Sequence, residues 1–185
     1  MYRITLFVAL VLTACFLEAA TFSHPERKFQ VDYDDSSWEI VVEDAKAKSR
    51  ADDNDKAVAQ RTLVTLQRRV ADDKYHARFS VVVDSLAKFP GVPAERLVKY
   101  RKHAVDFLKG QRFHLFETHD YTLPKIGTLG FETLASQRDF GLMFKQVVFL
   151  RSEEAFLLTA ATRTDKFDGY KPELTKLFDS FRFSP

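Results

Sequence analysis

Residues 155–183 read AFLLTAATRTDKFDGYKPELTKLFDSFRF, and the fold class turns on how this stretch divides. Ala155 to Ala161 is a nearly unbroken apolar run, short for a helix and of the length of a strand covered on both faces. After it the period changes. Phe167, Tyr170, Leu174, Leu177, Phe178 and Phe181 recur at steps of three and four, the spacing of an amphipathic helix. Pro172 is expected in the first turn of that helix, where a missing N–H is tolerated. A strand covered on both faces needs more than this one helix, so a second layer must come from upstream.

Working outward, Leu142 to Leu150 (LMFKQVVFL) is a second continuous apolar run, joined to the first by Arg151-Ser152-Glu153-Glu154. Arg112 to His119 and Leu129 to Arg138 alternate in the manner of half-buried strands. Ahead of them, Phe89-Pro90-Gly91-Val92-Pro93 breaks the pattern and starts the second helix, with Pro93 in its first turn and Gly110 as its expected C-terminal cap. Leu97, Tyr100, Ala104, Phe107 and Leu108 form its apolar stripe. Thr62 to Val70 and Tyr75 to Asp84 read as a hairpin around Ala71-Asp72-Asp73-Lys74. Phe29, Val31 and Tyr33 alternate in a further strand, Asp34 to Ser37 supply a turn before Trp38, and Glu39 to Val42 follows as a short strand. Between them Glu43 to Lys56 is almost wholly charged residues and Ala, the composition of a solvated loop. The expectation is an α+β chain: one antiparallel sheet with a helix packed on each face, an α/β/α sandwich, in a single domain over residues 21–185. No repeat or second domain is visible.

This order of elements resembles the PsbP-like fold, shared by the PsbP extrinsic proteins of photosystem II, the Mog-type Ran-binding proteins and DcrB-like bacterial envelope lipoproteins. The resemblance spans roughly Arg27 to Phe183. It rests on the aromatic opening RKFQVDYDDSSW, the order strands, hairpin, helix, meander, helix, and the close in Ser180-Phe181-Arg182-Phe183. Asp34 stands where the family commonly has proline ahead of the tryptophan. The resemblance implies a non-catalytic accessory or binding protein.

Residues 1–20 carry one basic residue, Arg3, followed by an apolar run from Ile4 to Leu12. Such a run is too short to span a bilayer and has the length of a signal-peptide core. Leu12-Thr13-Ala14-Cys15 resembles the lipobox of bacterial lipoproteins, in which cleavage before the cysteine makes it the lipidated N-terminus. Ordinary secretory cleavage near Ala20, or an uncleaved anchor, are the alternatives. The expected location is the bacterial cell envelope, membrane-anchored in the periplasm through Cys15 or secreted. Phe16 to Glu26 then forms a tether whose extended reach is on the order of 35 Å.

Cleavage before Cys15 removes Arg3 from the 28 basic residues and leaves 27 against 26 acidic, a net charge near +1. Such a balance provides no field to recruit nucleic acid. With Cys15 lipidated or removed, the folded part has no thiol for a disulfide or a nucleophile. Eighteen Phe, six Tyr and one Trp supply the packing instead.

Motifs for a P-loop, a dinucleotide fold, G-x-S-x-G or H-E-x-x-H do not occur. His114 and His119, five apart on an expected strand, should point to opposite faces and not share a metal. Asp52-Asp53-Asn54-Asp55 lacks the glycine of a calcium loop. Gly127-x-x-Gly130 is expected as a turn, and no cofactor or metal site is expected. The helix face opposite the apolar stripe carries Arg96, Lys99, Lys102, His103 and Lys109, a candidate surface for a protein partner. The functional expectation is therefore an envelope accessory lipoprotein that holds a protein partner. The alternative is a periplasmic binder of a small ligand or metal ion, using a pocket between the sheet and the terminal helix.

Overall fold

The computed structural model describes residues 19–41 and 61–184. Cys15, the leader and the charged stretch from Glu43 to Lys56 lie outside the described residues. Strands β1 (Ala20–His24), β2 (Phe29–Tyr33), β3 (Trp38–Val41), β4 (Arg61–Arg68) and β5 (Arg78–Ser85) precede helix α1 (Pro93–Gly110). A meander of β6 (His114–Thr122), β7 (Leu129–Gln137), β8 (Leu142–Arg151) and β9 (Glu154–Arg163) then leads into helix α2 (Phe167–Ser180) and the short β10 (Arg182–Phe183). Among the described residues the chain is a mixed α+β fold with two antiparallel sheets and two α-helices.

The large sheet has the order β3-β4-β5-β9-β8-β7-β6. Its centre is the pairing of β5 with β9, from Arg78 opposite Ala161 to Ser85 opposite Glu154, so the two apolar runs of the sequence become interior strands. The second sheet, β1-β2-β10, corrects the expectation of a single one. Its cause is the turn at Asp34, whose carbonyl accepts from the amides of Ser37 (3.1 Å) and Trp38 (2.9 Å) and whose carboxylate accepts from the Ser36 and Ser37 hydroxyls. Those hydroxyls hold the Asp34 carboxyl below its ordinary range. Redirected there, β2 joins the chain's C-terminal strand while Trp38 enters the large sheet.

The small sheet also changes the expected tether. Ala20 to His24 forms β1, pairing with β2 from Ala20 opposite Tyr33 to His24 opposite Phe29. At the end of α1, Gly110 lies within the helix and Gln111 is the C-cap; the left-handed residue is Arg112, at φ 63°. Pro172 falls in the second turn of α2 rather than the first, so the Asp168 carbonyl goes without its helical N–H partner.

Two groups of buried side chains alternate along the strands. One brings Leu174, Leu177 and Phe178 of α2 against Phe79, Val81, Phe149, Phe156 and Leu158, with Phe29 and Val31 of the small sheet and Phe181. The other brings Leu97 and Tyr100 of α1 against Phe131, Val148, Ala155 and Leu157. Phe107, expected in the α1 stripe, is 53% exposed because the buried part of that helix is confined to its first half.

Candidate functional site

Helix α1 sets out the charges that the sequence singled out, and the structure separates their roles. Arg96 is 13% exposed and makes a bidentate pair with Glu153 in the β8–β9 turn, Nη1 to Oε1 at 2.9 Å and Nη2 to Oε2 at 2.7 Å. Its Nη2 also donates to the Leu86 carbonyl. This side chain fastens α1 to the sheet and leaves little to offer a partner. His103 lies against Phe89, with ring centroids 5.3 Å apart, at the flank of the helix. Lys99 donates to the Pro90 carbonyl at 2.8 Å, and Lys102 pairs with Asp106 at 2.7 Å, yet both remain exposed. Lys109 is exposed, and among the described residues no carboxylate lies within ion-pair distance of it. Steps of three and four put Lys102 and Lys109 on one line with Val98, which is 67% exposed. The outward surface thus carries Lys99 and Lys102 beside the exposed Val98, with Lys109 two turns beyond Lys102, while Arg96 is turned in to Glu153.

Beneath α1 sits a polar contact that the sequence did not announce. The Tyr100 hydroxyl donates to Asp84 Oδ2 at 2.8 Å, with Tyr100 at 1% and Asp84 at 4% exposure. Asp84 Oδ1 has no hydrogen-bond partner. Burial, with the Asp84 carboxylate beside it, pushes the Tyr100 phenol strongly up, so it remains a donor at any physiological pH. Its signal in the sequence was Asp84 closing an otherwise apolar strand.

A groove of about 550 Å³ runs between the β2–β3 turn and α2, with Trp38 and Leu177 at its base and Arg68, Glu173 and Lys176 around it. Trp38 Nε1 donates to Glu173 Oε1 at 2.5 Å, and Arg68 Nε lies 3.4 Å from Glu173 Oε2. Arg68 also stacks over the Tyr170 ring at 4.6 Å and donates to its hydroxyl, which in turn donates to Asp72. The groove's carboxylates are largely committed: Asp32 accepts from Arg182, which holds its carboxyl below the usual range, and Glu173 from Trp38. Lys176 is exposed on the rim. A wider hollow of about 980 Å³ near Phe140 is crossed by Arg163, which pairs with both Asp73 and Asp165.

The remaining candidates are displaced. A bulge between Leu115 and Glu117 shifts the register of β6, so that His114 lies opposite Ser136 and His119 opposite Glu132. The bulge therefore brings both histidines to the same face, contrary to expectation. Four residues of β7 still separate their partners, roughly 13 Å at strand rise, beyond the reach of one ion. Among the described residues no group of three His, Cys, Asp or Glu side chains is placed to hold a metal. Gly127 makes a turn at φ 69°, but Gly130 is part of β7, where a Cβ would meet the Val148 carbonyl oxygen at 2.1 Å. Its role is close strand packing. Asp52 to Asp55 and Cys15 lie outside the described residues. Among the described residues no helix is long and apolar enough to cross a membrane.

The strand order and the two helices define an α+β protein of the PsbP-like fold. The solution structure of cyanobacterial PsbP (CyanoP) from Synechocystis matches with a TM-score of 0.55 over 92% of this chain and 95% of that one, at 12% identity. A Bacteroides thetaiotaomicron crystal structure matches at a TM-score of 0.41 and 9% identity, over 90% of this chain and 49% of that one. No protein-family model and no curated protein matches the sequence.

Proposed function

We propose that this protein is a non-catalytic accessory protein of the bacterial cell envelope, anchored through a lipid on Cys15, that binds a protein partner through the outward face of α1. The observation that carries the reading is the exposed Val98 flanked by Lys99 and Lys102, with Lys109 further along, on a helix whose other face is spent on Leu97 and Tyr100. An apolar side chain beside lysines suits a partner surface with an apolar pocket and acidic groups at its rim. The lipobox-like Leu12-Thr13-Ala14-Cys15 supports the location, and the layering supports the architecture: α1 and α2 take alternate side chains of β8 and β9, which reads as an α/β/α sandwich with one helix on each face.

The test is mild cross-linking in cells followed by capture. A partner band present with the wild-type protein and lost with Lys99→Glu/Lys102→Glu, at unchanged melting temperature, supports the surface. A band that survives the double charge reversal sinks it. For the anchor, Cys15→Ser should move the protein out of the membrane fraction and abolish palmitate labelling. A wild-type protein found wholly soluble with Thr21 as its first residue overturns that part.

The groove at Trp38 favours a second reading, a periplasmic binder of a small ligand. Among the described residues its cation outside an ion pair is Lys176, on the rim of an apolar base beside the Arg68–Glu173 pair. A ligand that fits should raise the melting temperature of the isolated protein, and the rise should shrink in Lys176→Ala. A screen of small carboxylates and phosphates that yields no shift counts against it.

A further inference from the structure

We infer that β1 is a strap released by protonation of His24, whose ring stacks on Phe29 and whose Nδ1 accepts a backbone hydrogen bond. Strand β1 is the edge of the three-stranded sheet and pairs with β2 alone. Its half-buried side chains are Ala20, Phe22 and His24, while Thr21 and Ser23 are exposed. The His24 ring stacks on Phe29 with centroids 5.2 Å apart and planes 21° apart, and Phe22 meets both rings. The Arg27 amide donates to His24 Nδ1 at 3.2 Å, which requires that nitrogen to be unprotonated.

The charged groups around the ring are Glu26, Arg27 and Arg61. Burial lowers the imidazole from its ordinary value of 6.5; Glu26 opposes this, Arg61 and Arg27 reinforce it, and a backbone hydrogen bond at His24 itself opposes it, with the net direction downward. Arg27 is itself paired with Glu154 at 2.9 Å. The paired strand thus prefers neutral His24. Its stabilisation is fully present above pH 6.5 and is lost as pH falls through the lowered value of the closed state. Protonation turns Nδ1 from acceptor to donor, opposes the Arg27 N–H, and places a cation beside two arginines. What remains to hold β1 is its five-residue ladder, the packing of Phe22 on Phe29 and the bond from Thr21 Oγ1 to Asp32 at 2.8 Å.

Release changes the reach of the anchor, a consequence that rests on the proposed lipidation of Cys15. With β1 docked, residues 16–19 separate Cys15 from the folded body; with β1 free, residues 16–28 do. At about 3.5 Å per extended residue the limit grows from roughly 14 Å to roughly 45 Å. Acidification would let a body held close to the bilayer reach away from it.

The experiment is amide hydrogen exchange of the full chain between about pH 7.5 and about pH 5, corrected for the intrinsic rate. The Thr21 to Ser23 amides should lose protection by about tenfold for each unit by which the closed-state value lies below that of the open strand. Amides of β5 and β9 should stay protected throughout. His24→Phe keeps an aromatic ring against Phe29 and should show no pH dependence in β1. Protection that is independent of pH in the wild type, an equal loss in His24→Phe, or a simultaneous loss in β5 and β9 would each overturn the strap. Cys15→Ser leaves this exchange unchanged, so a failed anchor removes only the consequence for reach.

Discussion

The two helices of this chain are held in different ways. Helix α2 buries Phe167, Leu174, Leu177 and Phe178 in a core of aromatic and branched side chains, and Phe178 meets Phe79 edge-on at 5.2 Å. Helix α1 is four residues longer, at 18 against 14, yet buries only Leu97 and Tyr100. It depends in addition on the Tyr100–Asp84 hydrogen bond and the Arg96–Glu153 clamp. Apolar packing tolerates no gap but has no preferred partner atom. Polar fastening sets position through a few atoms and fails when one of them is removed. A helix held the second way can present its outward face in a defined orientation without a large core beneath it.

The contrast can be broken most sharply from the α2 side. Phe178→Ala should cost about 3–5 kcal/mol in urea unfolding, since it opens a cavity among rings that cannot close around it. Leu97→Ala on α1 should stay near the lower end for such truncations, about 2 kcal/mol, because Leu97 retains 8% exposure and fewer aromatic neighbours. An equal loss in both would mean that α1 is packed as firmly as α2.

A smaller effect separates the polar fastening from packing. Tyr100→Phe keeps the ring and removes the only donor to Asp84, and should cost about 1–3 kcal/mol by leaving a buried carboxylate without a partner. Adding Asp84→Leu to that variant should recover most of the loss, because both polar groups are then gone. If the double variant is no better than the single one, Asp84 is satisfied by another group and the fastening is not where it is placed here.

The close of the chain offers a test by pH. The Arg182 guanidinium lowers the Asp32 carboxyl from its ordinary 3.8. Its contribution is therefore complete above pH 3.8 and is lost as pH falls through the lowered folded value. The melting temperature should decline through that acid range less steeply in Asp32→Asn than in the wild type. Identical slopes would dismiss the pair as a determinant of how β10 docks on β2. Least of all should Lys102→Glu alone matter: Lys102 and its partner Asp106 are both exposed, and the unfolding midpoint should not move.

Much of this architecture was legible before any coordinates. The apolar runs at 142–150 and 155–161 became the interior strands β8 and β9, α1 spans Pro93 to Gly110 as the proline and the periodicity indicated, and the α2 stripe is its buried face. The misses share a cause. Ala20 to His24 read as part of a tether because five residues with one large apolar side chain carry almost no periodic signal; only pairing with β2 makes them a strand. Phe107 fell in a helical stripe, but the sheet does not extend beneath it. The bulge in β6 reversed the parity on which the histidine argument depended. Of the candidate surface, the types of charge were visible. The loss of Arg96 to Glu153 was not, since the partners are 57 residues apart.

The sequence by itself determined both helices and most of the strands, with most of their apolar faces, because period and composition are local properties that each segment carries with it. It also determined the chain's near-neutral charge and the lack of a thiol in the body of the domain. Tertiary structure alone decided that the strands divide into two sheets, that the order runs β3-β4-β5-β9-β8-β7-β6, that Tyr100 meets Asp84, and that three lysines face outward while an arginine turns in. Those outcomes depend on contacts between residues far apart in the chain. The free energy of such a contact exists only once the intervening chain has been closed around it, and no window of sequence contains both ends.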